Sequence, residues 1–499
     1  ALGFGFVIVY PVIIFESKKT SINQNMHIFI TYAGTISTRG IQRNILFRKL
    51  AEKKYIFGEI SEISRKINYF AKAWNLGFSE TCRKIAKSVP SNILADFLDR
   101  FAIMMDLGQD LGTFIHDEQD AVMADFAVDY KKALQGIETI QDIFVSLTMA
   151  LGFMMSIGLL MPLISGTPID TIVKFALLGM IVLDFAMLGF VKVYIPEDRI
   201  VLGMENRAKG MLLVYKAVYI TVPFCAFLLI GLFYFFDLPF ILNIAIGITP
   251  LLVVGLMAQE EENAVFKRDK VFPAFIRALG SIIDIKSGAV LSSVNALRIH
   301  DFGSMNDLII SLYRRLRTGN DKYKCWDFFG YESGSFLIYQ FSNIFAESLY
   351  LGGSGEKIGE IVSENFTKLL SLRRLRIQIS SGVRGALYGS LVGFTLAAYM
   401  SAELTSMLGS IFSAPFSQLE GGGEMAGFLA GIAPSTALDV NAEMITFYIG
   451  IMVIIHAAVS SLIIKIVDGG CLYGTFFDFV VLIWLGTVIS IVLPWGLRI

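Results

Sequence analysis

"FLIYQFSNIFAESLYLGGSGEKIGEIVSENF" (residues 336–366) decides how the chain is read, because its middle, "YLGGSGEKIGE" (350–360), first suggests a phosphate cradle. A phosphate loop of the GxxxxGK[ST] kind needs a glycine just before the lysine and a hydroxyl just after it, so that backbone N–H groups, ammonium and metal ligand converge on one anion. Here Lys357 stands between Glu356 and Ile358, and a carboxylate lies where a phosphate would be repelled. The flanks show what the glycines do instead. Over 336–349 apolar residues recur at three- and four-residue spacing, the period of an amphipathic helix. A glycine just past such a helix ends it through a left-handed residue.

The same succession occurs once before. "ILADFLDRFAIMM" (93–105) runs into "DLGQDLGTF" (106–114), and Phe97, Phe101, Ala102, Met105, Leu107 and Gly108 fall without a gap opposite Phe341, Phe345, Ala346, Leu349, Leu351 and Gly352. Gly108, Gly352 and Gly353 therefore read as structural turns. Further matches keep the same order: "FITYAGTISTRG" (29–40) with "FIRALGSIIDIKSG" (275–288), "FGEISEISRKI" (57–67) with "FGSMNDLIISLYRRL" (302–316), and "KAW" (72–74) with "KCW" (324–326). Such ordered self-similarity indicates a duplicated helical block. After each glycine turn a long helix leads toward an apolar run, and acids at the start of the second one suit the helix dipole.

Around these blocks the chain is apolar. Of 499 residues, 55% are hydrophobic and 17% charged, and the mean hydropathy is +0.63, a mixture of membrane-buried and water-exposed parts. A helix of about 20 apolar residues crosses a bilayer, and such runs stand at 144–166, 170–194, 211–236, 238–258, 386–411, 444–464 and 478–496. The opening "ALGFGFVIVYPVIIF" (1–15) begins without Met and reads as the end of a further span, since neither a basic leader nor a small-residue cleavage site marks a signal peptide. The expected fold is all-α and polytopic, with about eight membrane helices. Its divisions are 1–15, the end of the first span; 16–143, the first helical block; 144–258, four spans; 259–385, the second block; and 386–499, three spans with an outward loop near 412–443.

Charge orients this arrangement. Both blocks and the connection "PEDRIVLGMENRAKG" (196–210) are rich in Lys and Arg, whereas Ser401 to Met444 contains neither, so the blocks face the cytoplasm by the positive-inside rule. The net charge of −1 hides a segregation: 18–87 is strongly basic, from Lys18 to Lys87, while 96–129 is acidic, from Asp96 to Asp129. These are either solvated helix faces or patches that steer a charged partner.

Catalytic and metal chemistry finds no support. Cys82, Cys225, Cys325 and Cys471 are far apart, His27, His116, His300 and His456 lie in separate segments, and neither HExxH nor GxSxG occurs. "KIVDGG" (465–470) has the order Asp-Gly and does not match the GxGD pattern of intramembrane aspartyl peptidases. No cofactor, metal or nucleic acid is indicated. Within the spans Asp184, Lys216 and His456 are the polar exceptions; Lys216 is near enough to an end to snorkel, and Asp184 and His456 either satisfy each other or line a proton or ion path. A secondary transporter would repeat its spans in inverted order around a midplane site, whereas here the soluble blocks are what repeats.

The duplicated helical domain leading into membrane helices resembles the F-type platform proteins of type II secretion and type IV pilus machines. "FPAFIRALG", "LRIHDFG", "LYRRL", "YLGGSGEKIGEIVSENF", "LSLRRLR", "RGALYG" and "IIHAAVSSLIIKIVDGG" are most similar to the archaeal branch, the membrane platforms of the archaellum; Cys471 departs from it where His is expected. The resemblance implies a non-catalytic, homodimeric, multi-pass protein of an archaeal cytoplasmic membrane. It would dock a hexameric secretion-type ATPase and couple its motion to insertion of pilin-like archaellin subunits, with an adhesion-pilus platform as the alternative. For the ATPase-facing surface the basic residues Arg314, Arg315, Arg317, Arg373, Arg374 and Arg376 of the second block are the candidates.

Overall fold

The computed structural model describes residues 2–38, 43–74, 76–161, 169–196, 198–202, 209–417 and 442–497. Three- and four-residue apolar periodicity yields helices throughout, and among the described residues the only β feature is an isolated bridge between Val201 and Ser335. The first block comprises α1 (Leu2–Ser37), α2 (Arg43–Glu52), α3 (Lys54–Phe57), α4 (Glu59–Ala73), α5 (Phe78–Ala86), α6 (Asn92–Leu107) and the start of α7 (Leu111–Leu160). Then come α8 (Ile169–Tyr194), α9 (Lys209–Phe235), α10 (Phe240–Ile248) and α11 (Leu251–Ile285). The second block adds α12 (Val290–Leu297), α13 (Asn306–Arg317), α14 (Lys322–Ser333), α15 (Phe336–Tyr350) and α16 (Gly355–Ser417), followed by α17 (Ala442–Asp468) and α18 (Thr475–Leu497).

The chain divides into two compact units, and the two blocks do not form separate ones. Residues 1–133, 196–210 and 262–375 make one unit; 134–195, 211–261 and 376–499 make the other. In the first unit the aligned Phe97, Phe101, Phe341 and Phe345 are all fully buried. Phe29 meets Phe97 edge-on at 5.1 Å, and Phe341 meets Phe366 edge-on at 5.3 Å. The helix starts repeat as well: Ser91 Oγ accepts the Leu94 N–H at 3.3 Å, and Ser335 Oγ accepts that of Ile338 at 3.2 Å. Gly108 and Gly352 both have left-handed backbones, with φ of 69° and 91°. The tryptophan match fails. Trp74 follows α4 and is 64% exposed, whereas Trp326 lies inside α14 and is fully buried. At the offset that relates the other pairs, buried Cys82 of α5 holds the place of Trp326.

The blocks are sewn together by buried polar contacts. Ser348 Oγ donates to Thr35 Oγ1 at 2.9 Å, Asn365 Nδ2 to Thr31 Oγ1 at 2.9 Å, and Gln119 Nε2 to Asn365 Oδ1 at 3.2 Å. These donors and acceptors pair away from water, where an orphan would cost about 1–3 kcal/mol.

The second unit is a helix assembly with an apolar surface. Among the described residues six helices are long and apolar enough to cross a membrane, and α10 with α11 counts as a seventh if that bent pair is one span. The run 1–15 begins the 36-residue α1, and the run 238–258 is bent, breaking by 44° between Ile248 and Leu251. The break falls at Thr249-Pro250, where proline removes a helix donor. Large apolar side chains such as Phe175, Phe227 and Tyr234 stand more than 70% exposed, as lipid-facing residues do. Of the outward loop expected near 412–443, residues 418–441 lie outside the described residues.

Candidate functional site

Two buried arginines three residues apart on α16 organise the polar interior, each within its own unit. In the first unit Arg373 is 3% exposed and fully engaged. Its Nη2 donates to Asp198 Oδ1 at 2.6 Å and to the Arg199 carbonyl at 2.9 Å, its Nε to Asp198 Oδ2 at 2.9 Å, and its Nη1 to Asp269 Oδ2 at 3.0 Å. Burial disfavours the guanidinium, but the Asp198 and Asp269 carboxylates outweigh that and hold its pKa above the ordinary value. Burial pushes Asp269 up to about 6 against the pull of Arg373, and it lowers His27 to about 4. His27 tilts against Phe126 at 4.5 Å and lines, with Gln24, Tyr130, Asp198 and Arg373, a cavity of about 40 Å³. Such a space holds a water molecule, not a substrate.

This node pins the short connection between α8 and α9 to the second block. Ile200 O accepts the Phe336 N–H at 3.1 Å, the Leu202 N–H donates to Gly334 O at 3.2 Å, and Arg268 Nη1 donates to Ser333 O at 2.8 Å. Spacing alone could not reveal it, because the acids come from two segments far from Arg373 in sequence.

The glycine stretch is a corner and a helix crossing. Asp284 of α11 accepts from Ser354 Oγ and from the Gly355 N–H, each at 2.7 Å, and from the Glu356 N–H at 3.1 Å. A protein carboxylate thus occupies the helix N-terminus where a phosphate would bind. Hydrogen bonds from Ser354, Glu356 and Gly355 outweigh the effect of burial and hold this carboxyl below its usual range. Gly280 and Gly355 let α11 and α16 touch backbone to backbone: a methyl on Gly280 would collide with the Gly355 carbonyl, and one on Gly359 would come within 2.9 Å of Ile276 O. Gly353 is equally confined, with Thr38 Oγ1 and Ile358 Cδ1 each 2.7 Å from an added methyl.

The six arginines expected to face a partner separate into two groups. Arg314 and Arg317 are exposed in the last turn of α13, and Arg374 is exposed on α16. Arg315 shares that turn but is partly withdrawn, donating to Glu332 at 2.9 Å and lying 5.1 Å from the Phe328 ring centre. Arg373 and Arg376 are corrections to the expectation: both are 3% exposed and committed to internal acceptors, so neither offers its guanidinium to a docking surface.

In the second unit Arg376 donates from Nε to Val467 O at 2.7 Å and from Nη2 to Ile466 O at 3.0 Å. It caps the C-terminal end of α17, where "KIVDGG" lies. Gly469 is left-handed at φ 81°, and an added methyl there would stand 2.8 Å from the guanidinium carbon. That motif is therefore a helix terminus closed by arginine, as orphan carbonyls require. Nearby, Lys465 meets Asp468 at 3.1 Å, and Asp478 receives Arg384 at 3.1 Å and the Tyr388 hydroxyl at 2.9 Å. Asp184 and His456 are both fully buried and meet at 2.8 Å, with Phe144 stacked on the imidazole at 5.8 Å. Lys216 is exposed on α9. Among the described residues no three His, Cys, Asp or Glu side chains are placed to hold a metal ion.

Comparison with known proteins gives long matches. A protein of Methanocaldococcus jannaschii called flagella accessory protein J is 32% identical over 490 residues, covering 96% of this chain and 86% of that protein. A protein of the same name from Methanococcus voltae is 30% identical over 500 residues, covering 98% of this chain and 88% of that one. An uncharacterized protein of Methanocaldococcus jannaschii shares 22% over 138 residues, 28% of this chain. No protein-family model and no solved structure matches.

Proposed function

Because this chain belongs to the flagella accessory protein J family, we propose that it is the membrane platform of the archaellum. It docks a cytoplasmic hexameric secretion-type ATPase and couples that motor to insertion of pilin-like archaellin subunits. The observation that carries this reading is the long match to those relatives; their shared name favours the archaellum over an adhesion pilus. The duplicated helical blocks support it, and so does the helix N-terminus at Gly355, which is taken up by the Asp284 carboxylate and not open to a phosphate. In this reading the protein is a homodimer without catalytic activity of its own, and both blocks lie in the cytoplasm, as the Lys and Arg distribution favours.

The ATPase-facing surface is assigned to the exposed Arg314, Arg317 and Arg374. Exposed charges act mainly on encounter rate and salt dependence. Reversing all three to Glu is expected to weaken ATPase binding about tenfold at low salt, each charge contributing up to about 1 kcal/mol, and to leave membrane insertion intact. Co-purification with the ATPase that is unchanged across salt concentrations would refute this assignment.

A further inference from the structure

A second feature lies in the first unit, far in sequence from those arginines. It is an open groove of about 470 Å³ between α1, α4 and the end of α5. Its floor is apolar, with Ile22 and Phe70, and its rim is basic, with Lys18, Arg65 and Lys66. Two aromatic side chains project beside it: Tyr69 is 63% exposed and Trp74, 4.8 Å from Phe70 by ring centres, is 64% exposed. Glu59 is the acid in its lining, 3.9 Å from Lys18; of the acids beside it on the same helices, Glu62 contacts Arg65 and, at 2.9 Å, Lys54, and Glu16 meets Lys19 at 3.4 Å. The exposed Lys72 adds a further positive charge on α4, while the acids of 96–129 belong to α6 and α7.

Helix geometry sets the depth of this groove. The apolar run of α1 ends at Phe15, which is 52% exposed. Lys18 follows about 4.5 Å further along the axis and Ile22 about 10 Å further. The start of α4 lies at the same level, since a methyl on Gly58 would be 3.3 Å from Ser21 Oγ. A helix whose apolar end enters hydrocarbon carries about its next turn through the headgroup layer, about 5–8 Å deep. Lysine, arginine, tyrosine and tryptophan are the residues that favour that layer, and each basic side chain near an anionic leaflet strengthens partitioning about fivefold.

We propose that residues 2–15 dip into the bilayer and that the groove of Lys18, Arg65, Lys66 and Tyr69 seats the headgroup of an anionic phospholipid. The assignment does not depend on the platform reading. Ser88, which lines the groove and is exposed, gives the probe position. The full chain carrying Ser88→Cys and Cys471→Ser, labelled with an environment-sensitive fluorophore, is placed in nanodiscs of phosphatidylcholine alone or of equal parts phosphatidylcholine and phosphatidylglycerol. A blue shift and brightening in the anionic discs is expected. The signal should return to the phosphatidylcholine level in Arg65→Glu/Lys66→Glu and fall partway in Arg65→Gln/Lys66→Gln, with the near-ultraviolet circular dichroism of the aromatic core unchanged. Equal emission in both lipids, or a shift that survives charge reversal, overturns the proposal. So does a shift that appears only on adding a soluble acidic protein, which would give the groove to a protein partner.

Discussion

The two glycine corners begin alike and are finished differently. At the first, α6 ends on Gly108 and α7 starts under its own cap, Asp110 Oδ2 accepting the Thr113 N–H at 3.0 Å. At the second, α16 starts under Asp284, a carboxylate lent by another helix, and its first two turns carry Gly355 and Gly359 against Gly280. At the offset that relates the corners, the first copy has Leu111 and Ile115 in place of those glycines. Further along, Asp129 and Lys132 stand exposed where the second copy buries Arg373 and Arg376. A duplicated corner kept its turn while one copy became a tight crossing with an ionic interior. Local backbone chemistry is retained where it is self-sufficient; what surrounds it diverges with the neighbours each copy acquires.

Three pairs of substitutions probe that contrast. The largest effect is expected for Arg373→Met, which strands Asp198 and Asp269 without their partner; breaking a buried pair from one side costs about 3–5 kcal/mol. Asp129→Ala, at the matching exposed position, should change stability by less than about 0.5 kcal/mol. Thermal unfolding of the detergent-solubilised chain, read by resistance to proteolysis, checks both, and equal losses would erase the distinction between the copies.

Next is Gly280→Ala. Its methyl would strike the Gly355 carbonyl, so α11 and α16 must separate, at about 1–3 kcal/mol for overpacking. Gly34, its counterpart in the first block, faces the end of the Gln119 side chain at 2.8 Å, which can shift at the expense of one side-chain hydrogen bond to Asn365 and without moving a backbone. Gly34→Ala is therefore expected to be the milder change in the same unfolding assay.

The smallest separation is between the caps. Asp284→Ala removes an acceptor shared by two backbone N–H groups and a hydroxyl, and Asp110→Ala removes one that serves a single backbone N–H and, at 3.4 Å, the Thr113 hydroxyl. A lost cap costs about 0.5–2 kcal/mol, and the larger share should fall on Asp284. Amide exchange at the first turns of α7 and α16 measures each directly.

How much of this was legible in the sequence follows from the range over which each feature is decided. The Leu-Gly corner, the amphipathic α6 and α15 and the long helices after them depend on residues within one or two turns, so periodicity and glycine placement sufficed. Burial of Arg373 depends on Asp198, delivered by a connection between two membrane helices, and burial of Arg376 on the end of α17. Helical spacing distributes such residues around an axis but does not say which side a distant segment will cover. "KAW" and "KCW" misled for a related reason, since a short aromatic match carries no information about which helix of a bundle holds it. The Asp184 and His456 pairing was among the readings open from the sequence, because unpaired ionisable groups in apolar surroundings are costly.

The break between α10 and α11 bears on how the protein is made. α10 has nine residues, about 13 Å of helix, against a hydrocarbon core of about 30 Å. Beyond the preceding α9, whose Phe233 lies 6.1 Å from Phe240, contacts come from late in the chain: Phe240 meets Phe447 of α17 at 4.7 Å, and Trp484 of α18 donates to Thr249 Oγ1 at 3.1 Å. The ribosome therefore releases a segment too short to cross alone well before the helices that will bury it exist. Its final seat is a late step of biogenesis, completed only when the C-terminal helices arrive, and a nascent chain stalled before α17 lacks those contacts of α10 and of the break.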